Sequence, residues 1–201
     1  KLFLICNWTK TKMNDLERIL AERLNPVIDT LPNDNEISMT AAVMILLAKQ
    51  DGAWNIVYTR RTNEVKTHQG EVSFPGGSFE KQDKSLAQTA LRETMEEIGI
   101  KPDCIKLLGG MNPHRTIYDF LVFPFVGILQ CASKFTMNPA EVDRVFMIPV
   151  DWLKDRNNFY EQDHVIYGQD IRSVLHYHDF LGEHLWGLTA RITREILGYI
   201  N

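Results

Sequence analysis

A glycine turn, Phe74-Pro75-Gly76-Gly77, is followed closely by a stretch that carries three glutamates and an arginine, Leu91-Arg92-Glu93-Thr94-Met95-Glu96-Glu97-Ile98-Gly99. The stretch reads as a helix that stops at Gly99. With Arg92 at zero and about 100° per residue, Glu96 falls at about 40°, Glu93 at about 100° and Glu97 at about 140°. The three carboxylates therefore share one face with Arg92 at its edge. Ala87, Leu91, Thr94, Met95 and Ile98 form the opposite arc, which is expected to be buried. Such a helix is unfavourable by itself. Glu93 repels Glu96 and Glu97 by about a few tenths of a kcal/mol per pair, and Glu96 and Glu97 sit in the last turn, where the helix dipole disfavours negative charge. A hard divalent cation reverses both penalties. A merely solvated acidic face is the competing reading. The glycine turn, which lets backbone amides and carbonyls approach a ligand, and the embedded Arg92 favour the metal.

The rest of the chain supplies a scaffold. Residues 14–24 place Leu16, Ile19, Leu20 and Leu24 at helical spacing behind Asn14 as N-cap. Pro26 and Leu31-Pro32-Asn33-Asp34-Asn35 break that pattern. Strand-like runs at 38–48 and 54–60 flank Gln50-Asp51-Gly52, which predicts a hairpin. A helix is expected over 84–98, strands near 104–111, 118–129 and 143–149, and an amphipathic helix from about 184 to 200. The expected fold class is therefore α/β, a mixed β-sheet packed between α-helices. Residues 1–35 read as an N-terminal extension and helix packed on the domain formed by 36–201, with residues 1–12 lying upstream of Met13.

A formal net charge of -4 lacks the basic surplus of a general nucleic-acid binder. The apolar start Leu2-Phe3-Leu4-Ile5-Cys6 is shorter than the roughly 7–15 residues of a secretory core, and no run approaches the roughly 20 residues of a membrane-spanning helix. Cys6, Cys104 and Cys131 are odd in number and widely spaced. That pattern predicts reduced thiols in a cytoplasmic setting rather than a disulfide framework or a zinc site. His114, His164, His176 and His178 have no partners at zinc-like spacing and read as surface or packing residues. Trp186 reads as a core anchor.

Gly77, Arg92-Glu93, Glu96-Glu97 and Gly99 resemble the Nudix box, G-x5-E-x7-R-E-U-x-E-E-x-G-U, with U bulky and aliphatic. Two positions depart from it. Asp83 stands for the early glutamate, with eight residues rather than seven before Arg92, and Thr94 takes the U after Glu93. A second stretch, Thr59-Arg60-Arg61-Thr62 with Lys66, Gly70 and Phe74-Pro75-Gly76-Gly77, is similar to the extra motif of coenzyme A diphosphatases. Arg61-Thr62 replaces the usual Arg-Ser there, and Val57-Tyr58 replaces a leucine pair.

The resemblance implies a Nudix fold and attack of water on phosphorus in a diphosphate. It implies that Glu93, Glu96 and Glu97 hold Mg2+ or Mn2+ with the Gly77 carbonyl, and that one glutamate serves as general base. Arg92 orients the carboxylates by ion pairing. Glu141 stands open between a further ligand or base and a solvated loop residue. Substrate contacts fall to Arg60, Arg61, Lys66, His68, Phe74 and Gly76. The implied substrate is coenzyme A or an acyl-CoA. The alternatives are ADP-ribose, NADH or a nucleoside triphosphate, and, in another class, a non-catalytic ligand-binding module. The implied partner is a small molecule, with neither nucleic acid nor membrane, and a homodimer is left open.

Overall fold

The structure is a computed structural model and describes residues 15–27, 31–32, 39–64, 68–131, 134–166 and 170–200. Asn14, residues 1–12 and the expected boundary at 35/36 lie outside the described residues. At the centre lies β1 (Thr40–Gln50), whose nearly unbroken apolar run marks a strand covered on both faces. Asp51 and Gly52, both at positive φ, turn the chain into β2 (Ala53–Arg61), antiparallel to β1 with Leu47 opposite Ile56. Beyond Ile56, β2 leaves β1. It then pairs with β3 (Val72–Ser73) and, along its other edge, with β8 (Val142–Pro149). Beside the first half of β1 lies β4 (Gly76–Ser78), with Val43 opposite Gly76. The other edge of β1 takes the parallel β7 (Leu121–Leu129), which pairs in turn with antiparallel β5 (Ile105–Gly110) and β6 (His114–Arg115). The sheet is mixed, as expected.

Alternate residues of the central strands serve opposite layers. Ala42, Met44, Leu46 and Val57 pack with Leu86, Ala87, Ala90 and Ile98 of α2 (Leu86–Ile98). Ile45, Leu47, Ile56 and Tyr58 pack with α1 (Asp15–Arg23) through Leu20 and with α4 (Gly187–Tyr199) through Ala190, Ile196 and Leu197. Each fully buried aliphatic contributes about 1.5–3 kcal/mol. Tyr58 and Thr193 share a hydrogen bond of 3.0 Å in the second layer. Among the described residues no helix is long and apolar enough to cross a membrane.

Three features differ from expectation. A short helix α3 (Val150–Lys154) follows β8, and a hairpin of β9 (Phe159–Ile166) and β10 (Asp170–Tyr177) precedes α4. The polar run Tyr160-Glu-Gln-Asp-His164 hides the hairpin from a search for alternating apolar residues. The final helix starts at Gly187, because a tight turn joins Phe180 to Glu183 through Leu181 and Gly182 at positive φ. Third, Cys104 and Cys131 form a disulfide. Residue spacing says nothing of strand neighbours: Ile105 lies opposite Leu129, and Gln130 N–H donates to the Cys104 carbonyl at 2.7 Å, so the two cysteines meet where β5 begins and β7 ends. The expectation of free thiols is corrected for Cys104 and Cys131, while Cys6 lies outside the described residues, and the cysteine argument for a reducing compartment falls with it.

Candidate active site

Both ends of α2 are built to place its acidic face. Ser85 caps the start, its hydroxyl accepting from Gln88 N–H at 3.2 Å. Gly99 ends it at φ 72. Helix ends leave carbonyls without partners, and here Thr136 N–H and Asn138 N–H donate to those of Ile98 and Glu97 at 2.9 and 3.0 Å. The loop is thereby hung on the helix, and Glu141 follows at its far end. Thr94, in the position usually aliphatic, is fully buried and returns its hydroxyl hydrogen to the Ala90 carbonyl at 2.6 Å.

Carboxylate oxygens of Glu93, Glu97 and Glu141 lie within 4.8 Å of one another. Glu97 is only 2 % exposed, and Gly76 N–H donates to its Oε2 at 3.2 Å. Burial pushes its carboxyl up to about 8, with Glu93 and Glu141 adding to the effect, while the Gly76 N–H and Arg61 oppose it. Burial also raises Glu93, against the pull of Arg92. Glu96 is 53 % exposed and stands at the rim, bonded to Arg92 Nη1 at 2.9 Å. The helix-face expectation is corrected here. Met95 is exposed and Glu97 buried, because β4 and the loop carrying Glu141 cover the helix at that point. A Cβ on Gly77 would overlap the Glu93 carboxylate, so glycine here lets that carboxylate lie directly against the turn.

Arg92 is held by Asp83, which accepts from its Nε and Nη2 at 3.0 Å each. Its Nη1 donates to Glu93 and Glu96 at 2.9 Å, and Nη2 also to the Ser78 carbonyl at 3.1 Å. Every guanidinium donor is thus engaged within the protein, the geometry of an orienting residue. Asp83 is buried and also accepts from Thr89 Oγ1 at 2.9 Å and Glu80 N–H at 3.0 Å. Burial alone would raise its carboxyl, but these bonds hold it below the usual range. Despite its shifted register, Asp83 clamps the arginine.

The remaining candidates divide. Arg61 lies on the α2 side of the sheet, with Nη1 3.8 Å from Glu97 Oε1, and its buried Nε has no hydrogen-bond partner. Arg60, its neighbour, points to the opposite side, where it pairs with Asp143 and with buried Glu183 at 3.1 Å. Arg144 reaches the same Glu183 at 2.7 Å. Neither Arg144 nor Glu183 carries a motif, and no signal in the sequence singles them out. His68 is exposed and bonded to Glu71 at 2.8 Å. Phe74 is buried against Tyr58, ring centroids 5.1 Å apart, and supports the glycine turn from within the core. Lys66 lies outside the described residues.

Residues 38–167 match the NUDIX domain family. The chain belongs to the Nudix family. It is 38% identical over 160 residues to "Nudix hydrolase 15, mitochondrial" of Arabidopsis thaliana, covering 76% of this chain and 55% of that protein. It is 34% identical over 141 residues to "Uncharacterized Nudix hydrolase NudL" of Pectobacterium atrosepticum, covering 70% of this chain and 72% of that protein. The chain thus spans about half the length of the plant relative. A Nudix hydrolase structure from Alicyclobacillus acidocaldarius aligns at a TM-score of 0.53 with 16% identity, over 81% of this chain and 92% of that one. At that identity the likeness shows the Nudix fold.

The Nudix helix is α2, and the donor set that its Glu93 and Glu97 form with Glu141 of the downstream loop suits a hard cation: three carboxylates drawn together, one of them buried with its ionisation suppressed. A proton consequence follows. Burial pushes the Glu97 carboxyl up to about 8 in the folded protein, against an ordinary 4.5. Between those values the folded state binds a proton that the unfolded state lacks, so metal-free stability falls as pH rises through that window. Mg2+ or Mn2+ should displace that proton, raise the melting midpoint in millimolar metal, and release close to one proton per site at about pH 7 but few above about pH 9. Calorimetry in buffers of different ionisation enthalpy measures the release. Metal binding with no proton release at neutral pH would contradict the buried, protonated Glu97.

Proposed function

We propose that this protein hydrolyses the diphosphate bond of coenzyme A or an acyl-CoA, giving (acyl-)4'-phosphopantetheine and adenosine 3',5'-bisphosphate. The meeting of Glu93, Glu97 and Glu141 within 4.8 Å, beside the unpaired Nε of Arg61, carries the hydrolytic part of this reading. The coenzyme A part is supported by Arg60-Arg61-Thr62, Lys66, Gly70 and Phe74-Pro75-Gly76-Gly77 in the register of that motif. The glutamates and the Gly77 carbonyl would hold Mg2+ or Mn2+, which would supply Lewis acidity and lower the pKa of water. The chain's own groups do the rest. Arg92 fixes Glu93 and Glu96, and the Gly76 N–H orients Glu97. Arg61 offers a charged donor to a non-bridging phosphoryl oxygen. Glu97 and Glu141 present carboxylate oxygens able to take the proton of the attacking water.

Mass spectrometry of coenzyme A incubated with the protein and Mg2+ or Mn2+ tests this directly. The two named products are expected. Turnover of ADP-ribose or NADH with coenzyme A untouched would overturn the substrate and keep the reaction type. No turnover of any diphosphate would favour a binding module.

Lys66 gives a second test. The 3'-phosphate of coenzyme A adds up to two negative charges that dephospho-coenzyme A lacks. A charged contact of about 1.5–3 kcal/mol corresponds to a preference of roughly ten- to a hundredfold in kcat/KM. Lys66→Ala should weaken coenzyme A turnover and spare dephospho-coenzyme A. Equal losses on both would place Lys66 at the diphosphate instead.

A further inference from the structure

Among the described strands, β9 and β10 pair only with each other, and most of the outer hairpin is exposed. A two-stranded hairpin is marginal in water unless something fastens it. Here the fastening includes a row of imidazoles. His164 of β9 and His176 of β10 are offset in register, yet their rings meet with Nε2 atoms 2.9 Å apart and ring planes 14° from parallel. His176 Nδ1 lies 3.0 Å from His184 Nε2, and His184 Nδ1 lies 2.9 Å from Asp179 Oδ1. Trp186 stacks on both His164 and His176.

Asp179 sets the direction of the whole row, because an ionised carboxylate can only accept. His184 must donate from Nδ1, which leaves its Nε2 to accept when the ring is neutral. His176 then donates from Nδ1 and accepts at Nε2, and His164 donates from Nε2. Three neutral rings satisfy three contacts in one consistent set of tautomers.

We propose that Asp179, His184, His176 and His164 form a directional proton relay that acts as a two-proton latch on the β9–β10 hairpin. The first proton enters at His164 Nδ1. The Nε2 proton of His164 passes to His176 Nε2, and the Nδ1 proton of His176 passes to His184 Nε2. All three contacts survive, the two between imidazoles with their direction reversed and His184 Nδ1–H still donating to Asp179, and the positive charge comes to rest on His184. A second proton has no such outlet. Placed on His164 it sets one Nε2–H against another, and the bond between the two strands is lost.

The surroundings agree with this order. Burial, then the neighbouring His184 and His164, hold His176 below the ordinary histidine range. Glu183, in the same turn as Asp179, is engaged by Arg60 and Arg144 and gives the row no second carboxylate. Tyr160 stacks on His176 and is neutral, while His178 meets Tyr160 rather than the row. From α4, Arg194 lies over Phe159. Arg172 stands opposite His164 in register and adds a positive charge on that side.

Nitrogen-15 NMR of the histidine rings tests the tautomers, and amide hydrogen exchange tests the latch. At about pH 8 the rings of His184 and His176 should be protonated at Nδ1 and that of His164 at Nε2. On acidification His184 should become doubly protonated first, with the hairpin amides still protected. At about pH 5 their protection should fall by about tenfold or more, with the α2 amides unchanged. His164→Gln keeps a donor toward His176 and cannot take the second proton, so its hairpin should stay protected. The opposite tautomer on His176 would overturn the proposal, as would an equal loss of protection in His164→Gln. Zn2+ alone, bound at equimolar concentration and shifting all three rings together, would replace the relay with a metal site.

Discussion

Glu97→Gln is expected to lower turnover by about a hundredfold or more while leaving the protein folded. Glutamine keeps the shape of the side chain and can still accept from the Gly76 N–H, now 3.2 Å from Glu97 Oε2. It removes the negative charge that a cation requires in the least exposed corner of the site. In the metal-free protein the change is mild, because burial pushes this carboxyl up to about 8 and so already favours its neutral form. Stability without metal should stay within about 1 kcal/mol of wild type, because a neutral amide replaces a carboxyl that is itself largely neutral there. The gain in melting midpoint on adding Mg2+ or Mn2+ should disappear with the activity. Activity within a few-fold of wild type, with the metal response intact, would remove Glu97 from the site.

Gly77→Ala should separate function from folding even more cleanly. A methyl group at this position overlaps the Glu93 carboxylate, the free end of a side chain that can swing aside. The fold should therefore tolerate it, and the swing should take Glu93 away from Glu97 and Glu141. A displacement of about 1 Å in such a site costs about a hundredfold in rate. The neighbouring Gly76→Ala is the opposite case. Its methyl would meet the Ala42 carbonyl and the Val43 backbone of β1, which cannot swing. Overpacking against the central strand should destabilise the protein by about 1–3 kcal/mol or more. Thermal melts and kcat measured on both variants give the comparison. A Gly77→Ala protein that unfolds like Gly76→Ala, or that keeps wild-type turnover, would contradict the packing of Glu93 on Gly77.

Sequence periodicity located α2 because its signals are local: an apolar stripe at helical spacing and Gly99 to end it. It misjudged which side is dry. Glu97 is covered by β4 and by a loop some forty residues downstream, and no helical wheel contains that information. Asp83 departs from the usual spacing by one residue and still reaches Arg92, because a turn between Glu80 and Asp83 absorbs the difference. Glu141 joins the carboxylates only through Thr136 and Asn138 binding the end of the helix, a tertiary event. The cysteines and the histidine row were missed for the same reason. Each depends on which strands become neighbours.

Arg60 and Arg61 are consecutive in β2 and face opposite sides of the sheet, one toward Glu183 and the other toward Glu97. The ladder shifts register by one residue at this point, Arg60 lying opposite Arg144 and Arg61 opposite Val142, but the extra residue, Asp143, belongs to β8, so β2 itself keeps its alternation. Gaining or losing one residue there would send each arginine to the other's side, together with Val57, Tyr58 and the core layers they belong to. Descendants of this gene can alter that corner by substitution, but insertions and deletions must fall in the loops outside the strand. The same constraint makes β2 a dependable ruler for aligning distant relatives, since gaps placed within it would imply an exchange of two sites rather than a change in one.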